Sequence, residues 1–351
     1  MTKFARHLKN KNSYINIFDS YNRYLRDLRI SVTDKCNFRC IYCMPKNYFN
    51  TDYKFLNYND ILSFEEIIKI VKIVCSIGVK KIRFTGGEPL LRSNLCDLIA
   101  SIRKENPNIK LAITTNGFLL FKYAYDLKKA GINRLTISLP SLDNEIFQKL
   151  NGGKGSVKEV LAGINEAVKV GFKSLKINVT VLRGQNDLSV INIARYFKGT
   201  GHIVRFIEFM DVGNCNNWKS RDVVTSNYII KKINKVMPLK ELKPNYYSEV
   251  AKRFSYVDGD GEIGFISSIS NPFCSSCSRL RLSADGKLYT CLFSFSGKDL
   301  KLKLRQCMND LEIKNWIKNI WQTRNDQYSQ IRSIKKNSKY KKKIEMYQIG
   351  G

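Results

Sequence analysis

From Leu28 onward, short β-rich apolar runs alternate with longer segments whose apolar positions recur every three or four residues. The short runs predict strands at Leu28–Thr33, Lys81–Thr85, Leu111–Thr115, Arg134–Leu139, Ser174–Val181 and His202–Phe209. The longer segments predict helices at Ser63–Ile77, Asn94–Lys104, Phe118–Ala130, Val157–Val170 and Leu188–Lys198. Several open on a Ser, Asn or Asp cap, and Gly78, Gly131 and Gly171 close three of them. Serial strand–helix units imply an α/β class with a parallel sheet and right-handed crossovers. Six strands fall short of the eight that close a barrel, which predicts an open, partial (βα)6 TIM-like barrel. Periodicity leaves a doubly wound sheet standing as the alternative.

Beyond Asp211 the texture changes to polar loops, one helical stretch at Ser226–Val236 and a hairpin signal at Asp258-Gly-Asp-Gly261. From Leu311 the chain is helical, then strongly basic, and stops at Ile349-Gly350-Gly351. We divide it into a basic arm (1–16), the barrel (17–220) and a C-terminal extension (221–351). Special or polar residues gather where strands are expected to end: Asp34, Gly86-Gly87-Glu88-Pro89, Thr114-Thr115-Asn116-Gly117, Ser138, Lys176 and Glu208-Phe-Met210-Asp211. Active sites of parallel barrels are built at those C-terminal ends.

No apolar run reaches the roughly 18 residues of a membrane span, so no membrane is expected. The first sixteen residues carry Lys3, Arg6, Lys9 and Lys11 without an acid or an apolar core. That excludes a secretory signal and predicts a cytoplasmic protein, or one of an organellar matrix if the arm is a transit peptide. The 351-residue chain bears a formal charge of +30, densest around Lys335, Lys336, Lys339, Lys341, Lys342 and Lys343. Aromatics do not interleave with the basic runs as stacking platforms would, which argues against nucleic acid and suits a small polyanionic substrate. Only His7 and His202 are histidines, so the chemistry is expected to come from a cofactor.

Ten cysteines without a secretion signal point to reduced thiols and metal ligation. Cys36, Cys40 and Cys43 form a CxxxCxxC run just past the first strand. Three thiolates leave one iron of a [4Fe–4S] cluster open for a non-protein ligand; a zinc knuckle short of one ligand is the other reading. Cys274 and Cys277 make a CxxC pair, followed by Cys291, with Arg279 and Arg281 beside them. Again one metal position stays open unless Cys307 closes it, and two arginines next to it suit a substrate anion. Glycines at 86 and 87 let backbone approach a ligand, and the Glu88 carboxylate suits an ammonium group.

The cysteine run, its Tyr42 and the Gly-Gly-Glu motif resemble radical S-adenosylmethionine (SAM) enzymes. Leu28-Arg29-Ile-Ser-Val-Thr-Asp34 leading into the cysteines, Ile82-Arg83-Phe-Thr-Gly-Gly-Glu-Pro, Thr114-Thr115-Asn116-Gly117, Arg205-Phe-Ile-Glu-Phe-Met210, Phe273-Cys274 through Leu282 and the terminal glycines narrow this. Together they resemble the GTP 3′,8-cyclase family, molybdenum cofactor biosynthesis protein A, over roughly residues 16 to 351. The resemblance implies a lyase that converts GTP to 3′,8-cyclo-7,8-dihydro-GTP using SAM and two [4Fe–4S] clusters. Cys36, Cys40 and Cys43 would bind the SAM cluster; Cys274, Cys277 and Cys291 would bind the auxiliary cluster that meets the substrate. Tyr42, Gly87, Glu88, Ser138 and Met210 would contact SAM. Arg29, Arg83, Thr114, Lys176, Arg279, Leu280 and Arg281 would hold GTP. Arg279, Arg281, Gly350 and Gly351 are expected to serve turnover, the glycines by threading the tail into the site. A homodimer, an external electron donor and a cyclic pyranopterin monophosphate synthase acting next are further implications. Pro140 stands where the family usually has an acid, and Asn22 where glycine is common. A radical SAM enzyme acting on RNA and a zinc-binding nucleic-acid module are the competing functions.

Overall fold

The computed structural model describes residues 16–306, 308–331 and 343–350; most of the basic arm, Cys307, Lys335 to Lys342 and Gly351 lie outside the described residues. Six parallel strands form as expected: β1 (Asp27–Ser31), β2 (Lys81–Thr85), β3 (Lys110–Thr115), β4 (Arg134–Ser138), β5 (Lys176–Val181) and β6 (Ile203–Glu208). They lie side by side in sequence order. A doubly wound sheet would reverse that order, so the partial-barrel reading stands and its alternative falls.

Local chemistry explains the helix ends. Ser63 accepts from the Glu66 amide while Glu66 accepts from the Ser63 amide, a reciprocal cap that starts the helix Phe64–Ser76. Ser156 and Glu159 repeat it for Val157–Lys169. One helix, Asn144–Asn151, escaped the periodicity because it is only 8 residues long; Asp143 caps it. Asn22 sits at φ 57, a left-handed conformation that asparagine tolerates better than most residues, so it can replace glycine there.

The C-terminal extension continues the same sheet. β7 (Leu239–Leu242), β8 (Lys252–Tyr256) and β9 (Glu262–Ile266) add to one edge, with β9 parallel to β6. β10 (Arg279–Leu282), β11 (Lys287–Tyr289) and β12 (Lys298–Asp299) add to the other, with β10 parallel to β1. The order is β12-β11-β10-β1-β2-β3-β4-β5-β6-β9-β8-β7, open at both ends. The expected division near residue 220 therefore falls within one continuous sheet, because the barrel's bare edges need partners. No helix among the described residues is long and apolar enough to cross a membrane.

Along the central strands, alternate residues enter one apolar core: Leu28, Ile30, Ile82, Phe84, Leu111, Ile113, Leu135, Ile137, Ile177, Val179, Val204, Phe206, Leu280 and Leu282. The residues between them face the barrel interior, and many are charged.

Candidate active site

Period-two alternation sends Asp27, Arg29, Lys81, Arg83, Arg134, Lys176, Asn178, Arg205, Arg279 and Arg281 into one cavity. The strand register puts Arg281, Arg29 and Arg83 side by side on β10, β1 and β2. Neighbouring strands stand about 4.8 Å apart, so three guanidinium groups crowd one another. Burial, then Arg281, Arg83 and Arg279, push Arg29 well below the ordinary guanidinium value. Burial likewise lowers Arg83 to about 10, with Arg134 adding repulsion, and Arg281 to about 9, with Arg279 adding to it. Arg205 falls to about 9 through burial and then Arg83. Lys176, desolvated and facing Arg205, falls to about 7.

Neutral oxygens hold these cations. Arg83 Nη1 donates to the hydroxyls of Thr114 (2.8 Å) and Thr136 (3.2 Å). Arg205 donates through Nε and Nη2 to Asn178 Oδ1 at 3.0 and 2.7 Å. Gly264, opposite Arg205 in β9, has no side chain where a Cβ would come 3.3 Å from Arg205 Cγ. Among the described residues, Lys81 alone of these cations forms an ion pair with a carboxylate, Asp27 at 2.7 Å, and Glu249 is the other acid lining the cavity. Eight cations against two carboxylates are costly to bury unless an anion joins them.

The cavity runs from the N-terminal strand ends up to Met210 and Ser268, beyond the C-terminal ends of β6 and β9. Lys81, Arg134 and Lys176 are the first residues of β2, β4 and β5, so Lys176 begins its strand and does not end it as expected. Thr114 does not line the cavity; it orients Arg83. The Leu280 side chain points the other way, fully buried in the core beside Leu28, which leaves only its backbone to meet a ligand. Lys81, Arg134 and Arg205 were missed as site residues. Their signal was available: central parallel strands are normally apolar throughout, and here most alternate positions are polar.

Cys274, Cys277 and Cys291 line an adjoining pocket that shares Met210, Phe273, Arg279 and Arg281 with the cation cavity. Burial alone would raise the Cys277 thiol, but Arg279 and Arg324 overcome it and bring Cys277 down to about 6. Arg279 Nη2 donates to Cys277 Sγ at 3.4 Å, and the Phe293 amide donates to Cys291 Sγ at 3.5 Å. Arg324, which no sequence signal singled out, also donates to the Cys277 carbonyl at 2.7 Å.

The first triplet sits above the strands. Arg39 braces its loop, donating to the carbonyls of Cys36, Phe38 and Phe49. Burial raises Cys36 to about 12 and Cys40 to about 11, and the Cys36 and Cys43 sulfurs each feel Cys40. Three half-buried sulfurs close enough to influence one another are the donor set that a cluster would take up. Among the described residues no three His, Cys, Asp or Glu side chains converge tightly enough for a single metal ion; a cluster spreads its thiolates over separate irons. Tyr42 hydrogen-bonds to Cys40, Ser138 ends β4, and Met210 follows β6 into the cavity wall.

Gly86 and Gly87 serve packing: added Cβ atoms would lie 2.3 Å from the Thr33 and Lys35 carbonyls, respectively. The Glu88 carboxylate is buried and already occupied, accepting from Thr115 Oγ1 (2.8 Å), Leu90 N (3.1 Å) and Asn116 N (2.7 Å). Burial still lifts it to about 7. It ties the β2 and β3 ends together. Asn186 Nδ2 donates to the Pro140 carbonyl at 2.7 Å, bracing the turn where the family acid is missing.

The C-terminal tail reaches this site. Lys343 Nζ donates to Asp211 Oδ2 and Tyr328 Oη, and Glu345 accepts from the Asn214 amide. Tyr347 pairs with the Tyr53 hydroxyl and packs on Met44 and Phe49 beside the first triplet. The Gly350 carbonyl then accepts from Arg281 Nη1 and, at 3.4 Å, from Arg29 Nη1. His202 lines neither cavity; burial lowers its pKa.

Comparisons with known proteins bear on this arrangement. The Radical SAM superfamily matches residues 30–197 and the Molybdenum Cofactor Synthesis C family residues 202–330. A GTP 3′,8-cyclase of Xanthomonas campestris pv. campestris (strain 8004) is 46% identical over 333 residues, 95% of this chain and 97% of its own. One of Staphylococcus epidermidis (strain ATCC 12228 / FDA PCI 1200) is 46% identical over 337 residues, 95% of this chain and 99% of its own. Among solved structures, Streptococcus suis SuiB bound to S-adenosylmethionine is similar at TM-score 0.62, over 91% of this chain and 71% of that one, with 16% identity. That last likeness speaks for the fold.

Proposed function

The chain belongs to the GTP 3′,8-cyclase family of radical SAM enzymes, and on that premise we propose which of its own residues do what. Its reaction is the SAM-dependent radical cyclisation of GTP in molybdenum cofactor synthesis. Cys36, Cys40 and Cys43 hold a [4Fe–4S] cluster, which when bound supplies the electron that cleaves SAM. Cys274, Cys277 and Cys291 hold a second [4Fe–4S] cluster at the wall of the substrate cavity.

The chain's own groups bind and orient. Arg29, Arg83, Lys176, Arg279 and Arg281, joined by Lys81 and Arg205, take the triphosphate and base of GTP; Thr114, Thr136 and Asn178 aim the guanidinium groups. Tyr42, Ser138, Met210 and the Gly87 backbone face SAM, with Glu88 fixing the loop that carries Gly87. The Gly350 carbonyl meets Arg29 and Arg281, so the tail covers the reacting centre and excludes water, and the terminal glycines serve turnover in this way. Residues 17–220 act as the barrel and 221–351 as the substrate-closing extension, in a homodimer. An external electron donor and a cyclic pyranopterin monophosphate synthase acting next would be its partners.

The observation that carries this assignment is the in-register row Arg281–Arg29–Arg83 beside a cysteine-lined pocket, cation-rich and held by neutral oxygens. Anaerobically reconstituted protein incubated with SAM, dithionite and GTP should release 5′-deoxyadenosine and the 3′,8-cyclised nucleotide together. SAM cleavage without cyclised nucleotide would reject the substrate assignment.

A further inference from the structure

The cation cavity meets the C-terminal tail at Arg29 and Arg281 and borders a second cavity on its other side. Ile349 and Gly350 are buried over Arg29, Arg281 and Thr85, the last residue of β2, so the tail occupies the upper side. At the N-terminal ends of the strands lies a second cavity of about 680 Å³. It shares Lys81, Arg134 and Tyr246 with the first, and those three residues are the partition between them. Arg26, Lys72, Lys80, Lys81, Lys110 and Arg134 line it against one acid, Glu105.

Net charge alone makes basic surface common on this chain, but three features set this one apart. Lys72 and Lys110 pair with no acid among the described residues. Arg134 Nε is buried and without a hydrogen-bond partner, although its side chain borders both cavities. Tyr246 is held at the junction by cations on both sides, Arg26 at 4.5 Å and Lys81 at 5.5 Å from its ring. Tyr246 comes from the loop between β7 and β8, so a loop residue, not a barrel strand, stands between the two cavities.

We propose that this lower cavity is a basic vestibule through which the nucleoside triphosphate enters the barrel phosphate-first, collected by Lys72 and Lys110, handed to Arg134 and admitted past Tyr246. The inference rests on the reading that GTP is the substrate. A path lined by one sign of charge between low-dielectric walls concentrates a polyanion and raises its association rate by about 10- to 1,000-fold, an effect that salt removes.

The test is the association rate of radiolabelled GTP with cluster-loaded enzyme, followed by anaerobic rapid filtration at low and high ionic strength. Lys72→Glu/Lys110→Glu should slow GTP association about tenfold at low salt, with the loss disappearing at high salt and dissociation changed less than about twofold. Guanosine, which lacks the phosphates, should associate equally with both proteins. Tyr246→Ala should accelerate both association and dissociation of GTP. An association rate unchanged by the double substitution, or slowed equally for guanosine, overturns the vestibule. Wild-type enzyme that binds no GTP would instead reject the substrate assignment itself, so the two failures are told apart.

Discussion

Replacing Gly350 by Ala tests whether the seated tail serves turnover. Gly350 adopts φ 67, ψ 117, and a Cβ there would lie 2.0 Å from Thr85 Cγ2 and 2.6 Å from Thr85 Oγ1. The positive-φ backbone costs an L residue about 1–3 kcal/mol. The overlap adds about 1–3 kcal/mol, since Thr85 belongs to a buried strand end that yields little. The sum, about 2–6 kcal/mol, rivals the burial of Ile349 and Tyr347 that holds the tail, at about 1.5–3 kcal/mol each. The equilibrium constant for seating should therefore fall by a factor of roughly 30 or more, which toward the upper end of that range empties the seat. With GTP and SAM saturating, cyclised product per minute should drop at least about tenfold while 5′-deoxyadenosine continues to form uncoupled. Adding Thr85→Ala moves the nearest contact from 2.0 Å to the 2.8 Å of Thr85 Cβ and should restore part of the coupling. Wild-type coupling in Gly350→Ala would show that the tail is dispensable.

Cys277→Ser should lose roughly four irons per chain on reconstitution and lose cyclisation, yet keep SAM cleavage at the first cluster; unimpaired cyclisation would reduce the second triplet to a structural role. Lys176, held at about 7 against an ordinary 10.5, is largely neutral in the empty cavity above pH 7, and an arriving phosphate must recharge it. GTP affinity should therefore fall as pH rises through that window, with proton uptake visible by calorimetry in buffers of different ionisation heat, and Lys176→Met should flatten the profile. The sign for folding is opposite. The unfolded chain holds that proton more tightly, so the nucleotide-free protein should gain stability as pH rises from about 7 toward 10.5. Glu88→Gln leaves one of three buried donors unmet and should cost about 1–3 kcal/mol in chemical denaturation; full stability with a large rise in the KM for SAM would mean the carboxylate addresses SAM after all.

The sequence by itself determined what local chemistry determines. Apolar periodicity and cap residues located the six barrel strands and their main helices to within a residue or two. Cysteine spacing marked both triplets, because each lies within one loop or one short neighbourhood of chain. What the tertiary structure decided is everything that depends on register and on which face of a strand looks inward. Arg281, Arg29 and Arg83 come from strands far apart in sequence, and only their alignment makes a single anion site of them. Leu280, one residue from two arginines, belongs to the core for the same reason, since successive residues of a strand face opposite ways. Glu88 reads as a ligand in sequence; only the fold shows that its carboxylate also accepts from Leu90, Thr115 and Asn116. The tail's place over Arg29 depends on contacts across more than three hundred residues, which no local pattern encodes.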